Sequence, residues 1–178
     1  MTVRQIIAED VGNMQLRLLY QTAFPRDEQI PWEELMGLIA PMHLDFSAYY
    51  DGGELLGFTI VQQRPTFNWF WYCAVPEHLR GQGIGQKILT HLIDKYRDSM
   101  NLMDMESPRQ VCDNAEQRKR RYGFYLRNGF RDTNVYRTYG NIEMTILMNG
   151  EGTFTMHDWD EITRELRSYW HHMPEKAE

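Results

Sequence analysis

Three glycines at alternate positions, in Arg80-Gly81-Gln82-Gly83-Ile84-Gly85, mark the stretch of this sequence best suited to grip a ligand. Glycine has no Cβ, so the backbone there can approach a ligand closely and take dihedrals closed to other residues. The loop runs into an apolar-periodic segment, Ile88, Leu89, Leu92, Ile93 and Tyr96, which predicts a helix beginning near Gly83. The first N–H groups of such a helix lack internal partners, and the positive end of its dipole lies with them, so a pyrophosphate fits. Two other phosphate loops fit poorly. A Walker loop ends in Gly-Lys-Ser or Gly-Lys-Thr, whereas Gly85 is followed by Gln86-Lys87-Ile88. A Rossmann loop is spaced G-x-G-x-x-G and opens its domain, whereas here the spacing is G-x-G-x-G and several strands come first.

Other reactive side chains are scattered. Cys73 and Cys112 form no CxxC pair, and His43, His78, His91 and His157 show no ligand spacing, so no metal is expected. Cys73 admits a covalent acyl-cysteine route, but without a positioned histidine its aromatic strand, Phe67 to Tyr72, favours a buried core cysteine. Arg118-Lys119-Arg120-Arg121 is a basic run that a solvated helix face would also explain.

The elements that position these groups follow from periodicity and punctuation. Val3–Ile7 reads as a strand. Asp10 to Phe24 reads as a helix capped by Asp10, with Val11, Met14, Leu18 and Leu19 as its apolar positions, stopped by Phe24-Pro25. A short helix follows from Pro31 or Trp32 to Ala40, after a polar connection from Pro25 to Ile30 that could line a site. Asp51-Gly52-Gly53 signals a hairpin between His43–Tyr50 and Leu55–Gln62, and Thr66–Val75 forms a third strand ended by Pro76. Asn101–Glu106 reads as a strand, Asp113–Asn128 as a helix with Gly129 at C′, and Arg131–Thr138 with Ile142–Met148 as a hairpin. Thr155 to Trp170 reads as a final helix with Thr155 and Asp158 in capping positions.

Arg80, Gly83 and Gly85, with the Val75-Pro76 lead-in, the strand before and the helix after, resemble the Gcn5-related N-acetyltransferase (GNAT) superfamily, in its small bacterial-type form. That family carries Arg/Gln-x-x-Gly-x-Gly/Ala after its fourth strand. The resemblance implies an α/β (α+β) fold: a central mixed, mostly antiparallel twisted sheet of about six to seven strands flanked by helices. The domain it implies covers residues 1–150; residues 151–178 lie outside the resemblance and read as a C-terminal helical extension packed on the same domain. It also implies acetyl-CoA as cosubstrate, with the pyrophosphate on Arg80, Gly81, Gln82, Gly83, Ile84 and Gly85 and the pantetheine arm along Cys73, Ala74 and Val75.

A second match, Phe124-Tyr125-Leu126-Arg127-Asn128-Gly129-Phe130, is similar to the family's helix-to-strand segment and implies that Tyr125 protonates the leaving thiolate. Tyr122, one turn earlier, is its substitute. The resemblance implies a base at Glu106, which ends its strand, with Glu28 and Glu33 as weaker candidates for binding a cationic amine. Positions where the family often has Asn and Ala hold Arg118 and Arg121, so the asparagine contact does not carry over. These arginines suit a CoA phosphate or an acidic substrate.

Composition sets the outer limits. At 178 residues the chain can bury a core without a disulfide or metal staple. A net charge of −6 argues against a nucleic-acid partner. No signal-like N-terminus or membrane-length apolar run is visible, so a reducing, cytoplasmic setting is the default. A homodimer is compatible with the sequence. Three readings stand in order: an enzyme acetylating a primary amine by direct transfer in a ternary complex, a non-catalytic acyl-CoA-binding module, and a partner-binding domain using the C-terminal helix.

Overall fold

The computed structural model describes residues 1–169, in two compact units that divide between Lys95 and Tyr96. In the first, strands β1 (Thr2–Ile6), β2 (Leu44–Asp51), β3 (Glu54–Gln63) and β4 (Asn68–Ala74) pair antiparallel in chain order. Gly52 and Gly53 join β2 to β3 with φ of 53° and 91°, the positive values that a two-residue type I′ hairpin demands. Phe46, Ala48, Phe58, Ile60 and Tyr72 form one buried face of this sheet. Helices α1 (Met14–Ala23) and α2 (Trp32–Gly37) pack there: Tyr20 meets Tyr72 edge-on at 5.3 Å, and Trp32 meets Phe46 at 6.1 Å.

The opposite face takes α3 (Ile84–Lys95). His91 stands edge-on to Tyr49 at 5.7 Å, and Lys95 in the last turn pairs with buried Asp45, which also accepts the Ser47 hydroxyl at 2.8 Å. At Gly57 the close approach is tight. A Cβ there would lie 2.4 Å from the Ala74 carbonyl oxygen and 2.9 Å from Ile88 Cδ1, so glycine lets α3 settle onto the strands.

Two expectations for this unit are corrected. The first helix is capped not by Asp10 but by Asn13, whose Oδ1 accepts the Leu16 N–H at 3.2 Å. Residues 8–12 wind as a 3-10 turn, and Asp10 instead holds the Ile7 N–H and Arg4. Starting later turns the helix, so Leu16, Leu19 and Tyr20 are buried while Val11, Met14 and Leu18 are exposed. Cys73, expected in the core, is exposed: alternation along β4 sends Tyr72 and Ala74 into the aromatic core and turns Cys73 to the other side, opposite Thr59 in register.

In the second unit β5 (Asn101–Glu106) pairs with β7 (Ile142–Asn149), which pairs with β6 (Arg131–Tyr139), all antiparallel. Helix α4 (Ala115–Arg127) ends as its sequence predicts. Gly129 has φ 82°, its N–H bonds the Leu126 carbonyl and the Phe130 N–H bonds that of Tyr125, both at 3.2 Å, the Schellman arrangement. The register of β6 slips between Asp132 and Tyr136, where Asn134 has φ 58°. Helix α5 (Met156–Tyr169) opens with the expected reciprocal cap: Asp158 accepts the Thr155 N–H at 2.8 Å and Thr155 accepts the Asp158 N–H at 3.4 Å. Its stripe Trp159, Ile162 and Leu166 is buried. The expected helix end at Trp170 lies outside the described residues. The result is an α/β fold with, among the described residues, seven strands, antiparallel ladders within each unit, and an added C-terminal helix.

Candidate functional site

In the first unit the glycine loop leads from the end of β4 into the start of α3. After Pro76 a short 3-10 turn, Glu77–Leu79, brings the chain to Gly81 (φ 75°) and Gly83 (φ 78°). A Cβ at either would meet nothing within 4 Å, so glycine is needed there for its left-handed backbone and not for space. The Gly83 carbonyl accepts the Lys87 N–H at 3.1 Å, which makes Gly83 the cap and leaves the amides just after it outside the intrahelical ladder. Arg80 Nε donates to the Val75 carbonyl at 3.4 Å and Gln82 Nε2 to the His78 carbonyl at 2.9 Å. These side chains brace the turn from behind. Val75, Leu79 and Ile84 pack on buried Tyr49, Leu56 and Ile88, fixing both ends of the loop to the core. Residues 73–75 at the end of β4 and 80–85 of the loop, expected to bind one cofactor, thus share one scaffold. The open space, positive-φ glycines and first-turn amides fit a diphosphate.

The polar connection after α1 borders a cavity of about 370 Å³ lined by Tyr20, Gln21, Arg26, Gln29, Ile30, Pro31 and Trp32. Tyr20 accepts the Ile30 N–H at 2.8 Å, and burial pushes its phenol up to about 12, so it stays protonated. Glu33 is paired with Arg17 at 2.8 Å, and neither it nor Glu28 lines this cavity.

In the second unit Tyr125 is half-buried, with ring contacts to Phe124 at 5.3 Å and Phe130 at 5.8 Å. Tyr122 is committed elsewhere. Its hydroxyl donates to Asp132 at 3.1 Å, and burial with that carboxylate pushes its phenol up to about 12. Asp132 also accepts from Tyr136 at 2.9 Å and Thr145 at 3.1 Å, so the bulge in β6 is a hub of hydroxyls.

Glu106 is clamped. Arg118 donates to one of its oxygens at 2.7 Å and Arg121 to the other at 2.5 Å, and Arg118 also donates to Gln110 at 2.9 Å. Arg118 is buried, and the Nε atoms of both arginines have no partner among the described residues. A proton reaching Glu106 must therefore break an ion pair. Two residues earlier on the same strand face, Asp104 is half-buried, and burial pushes its carboxyl up to about 6. Sequence reasoning passed over Asp104. The signal available was alternation, which puts Leu102, Asp104 and Glu106 on one side of the strand.

The acetyltransferase (GNAT) domain family matches residues 43–132, from the end of the α2 turn to the start of β6. The chain belongs to the GNAT acetyltransferase family. Solved GNAT structures share its fold. A GNAT-family protein from Bacteroides thetaiotaomicron superposes with a TM-score of 0.75 at 22% identity, covering 94% of this chain and 97% of that one. The ribosomal-protein-S18-alanine N-acetyltransferase of Escherichia coli gives 0.63 at 19%, covering 86% and 99%. A GNAT acetyltransferase of Elizabethkingia anophelis, solved with acetyl-CoA bound, gives 0.60 at 16%, covering 83% and 96%. A sequence comparison with curated proteins found no match. Among the described residues of this GNAT protein, no helix is long and apolar enough to cross a membrane, and no cluster of His, Cys, Asp and Glu could hold a metal ion.

Proposed function

We propose that this chain is an acetyl-CoA-dependent N-acetyltransferase acting on a primary amine, by direct transfer within a ternary complex. The reading rests on one observation above all: the family match spans a loop whose two left-handed glycines open the start of α3. In this reading the amides from Gly81 to Gly85 hold the diphosphate, and Ala74 and Val75, with Cys73, line the pantetheine arm. When bound, acetyl-CoA supplies an activated acyl thioester. The chain's residues manage the protons. A carboxylate accepts the proton of the attacking amine nitrogen as its bond to the acyl carbon forms. Tyr125 gives its hydroxyl proton to the sulfur as the carbon–sulfur bond breaks.

Glu106 takes a different role from the base expected of it. Held by Arg118 and Arg121, it fixes α4, which carries Tyr125, to the end of β5. That the similar Escherichia coli protein is an alanine N-acetyltransferase supports an amino group as the acceptor.

The test is thiol release from acetyl-CoA across a library of amines, with Tyr125→Phe as control. Amine-dependent release that Tyr125→Phe slows at unchanged acetyl-CoA affinity is expected. Tight binding of acetyl-CoA with no release for any amine would instead favour a non-catalytic binding module.

A further inference from the structure

We propose that the cavity beside α1 recognises a carboxylate carried by the acceptor amine, with the Arg26 guanidinium as its cation. The inference rests on the acetyltransferase reading above and names the class of its acceptor: a small amine that also bears an acid group, of amino-acid size.

The cavity lies wholly within the first unit, and its walls are fixed. The chain leaves α1 at Phe24, winds a single 3-10 turn over Arg26–Glu28 after Pro25, and enters α2 behind Pro31. Tyr20 ties this connection back to α1: its hydroxyl accepts the Ile30 N–H at 2.8 Å and donates to the Ile30 carbonyl at 3.1 Å. Ile30 and Trp32 are buried and supply a rigid apolar wall. The space of about 370 Å³ lies at the small end of ligand pockets, which suits a compact molecule.

Most polar groups around this space are already spent on the protein. The Tyr20 hydroxyl is used in both senses on Ile30. Gln29 Nε2 donates to the Gln21 carbonyl at 3.1 Å and the Phe24 carbonyl at 2.6 Å, and Trp32 Nε1 donates to the Val11 carbonyl at 2.7 Å. Arg26 differs. It is exposed, and among the described residues no ion pair or side-chain hydrogen bond engages its guanidinium. Neither Glu28 nor Glu33 lines the cavity, and Glu33 is held by Arg17 at 2.8 Å. The charge lining the space is therefore positive, and it is presented as a planar fork of N–H donors whose geometry matches the two oxygens of a carboxylate.

A single residue of β4 joins this cavity to the proposed cofactor path. The Tyr72 ring meets Tyr20 edge-on at 5.3 Å, and its hydroxyl donates to the Glu28 carbonyl at 2.8 Å. The next three residues, Cys73, Ala74 and Val75, are those assigned to the pantetheine arm. Anchoring the acid end of a short acceptor at Arg26 restricts where its amine lies relative to that arm, and a positioned nucleophile reacts faster than one that tumbles.

The experiment compares free α-amino acids with the matching α-amino amides as acceptors for the full chain with acetyl-CoA, in wild type, Arg26→Gln, Arg26→Lys and Gln21→Trp. The amides carry the less basic amine, so a preference for the acids runs against amine protonation and reports the carboxylate. Expected is a kcat/KM for each acid about 10-fold or more above that of its amide, the size of a hydrogen bond to a charged group. Arg26→Gln should erase this preference by raising KM for the acids, with acetyl-CoA affinity kept. Arg26→Lys should restore part of it, because an ammonium keeps the charge and loses the fork. Gln21→Trp, which fills the cavity from an exposed helix position, should depress acids and amides together. Amides used as well as acids, a preference that survives Arg26→Gln, or full turnover in Gln21→Trp overturns the proposal. If no amine is turned over, calorimetric titration with the same amino acids decides. Binding that Arg26→Gln weakens by about 10-fold upholds the carboxylate site although the acetyltransferase reading falls; no binding, or binding indifferent to Arg26→Gln, sinks it.

Discussion

Gly57→Ala tests how the glycine loop is held. The added methyl would sit 2.4 Å from the Ala74 carbonyl oxygen and 2.9 Å from Ile88 Cδ1. Ile88 can yield by changing rotamer, but the carbonyl belongs to the backbone at the end of β4. Restoring an ordinary contact needs a separation of about 1 Å between β3 and the end of β4, since carbon contacts settle near 3.5 Å. Overpacking of this kind costs about 1–3 kcal/mol, which in a chain of this size lowers Tm by roughly 2–12 °C. The strand end that moves is the segment proposed to line the pantetheine arm, and α3 rides on the same contact. Affinity for acetyl-CoA should therefore fall more than stability alone explains, by ~10- to 100-fold, since a misplacement of about 1 Å can cost that much. Urea unfolding gives the first number, and calorimetric titration with acetyl-CoA on the folded variant gives the second. Gly12→Ala, where a Cβ meets nothing within 4 Å, is the control. If Gly57→Ala unfolds within about 0.5 kcal/mol of wild type and binds acetyl-CoA as tightly, the packing argument is wrong.

Glu106→Gln removes the counter-charge of buried Arg118, and urea unfolding should show a loss of about 3–5 kcal/mol; a change within ~0.5 kcal/mol would mean that the clamp is not structural. Asp104→Asn should stabilise the protein at neutral pH by on the order of 1–2 kcal/mol. The sign follows from a folded-state carboxyl raised to about 6: the native state holds the proton longer, so wild-type stability declines as pH rises from about 4 to about 6 and stays lower above. Wild type and variant should converge below about pH 4 in urea midpoints, and a variant less stable at pH 7 would reverse the sign. Tyr125→Phe should lower kcat by about 100- to 10,000-fold at unchanged KM for acetyl-CoA, and equal losses in binding would assign the ring to packing instead.

Features written in short-range chemistry were legible. Gly52-Gly53 specifies its hairpin, Gly129 its helix end, and Thr155 with Asp158 its helix start, because each motif acts within a few residues. The first helix was misread because Asp10 and Asn13 are both good caps, and only packing decides that Leu16 and Tyr20 turn inward. Cys73 sits in an aromatic run that looks like core, but one step of strand alternation turns it outward. The glycine loop could be read because its cradle is made of consecutive residues. The pairing of Glu106 could not. Glu106 lies 12 and 15 positions from Arg118 and Arg121, and only the packing of α4 against β5 brings both guanidiniums onto it. Asp104 carries no local motif either, and only its place in the folded strand buries it and pushes its carboxyl up.

The central claim is that the amides opening α3 bind the diphosphate of acetyl-CoA, and amide NMR during titration with CoA tests it most directly. The account predicts saturable shifts that are largest at Gly81, Gly83, Ile84 and Gly85, and weakened binding in Gly83→Ala, whose φ of 78° penalises a side chain. CoA that binds while leaving those amides unmoved, or that does not bind, contradicts it.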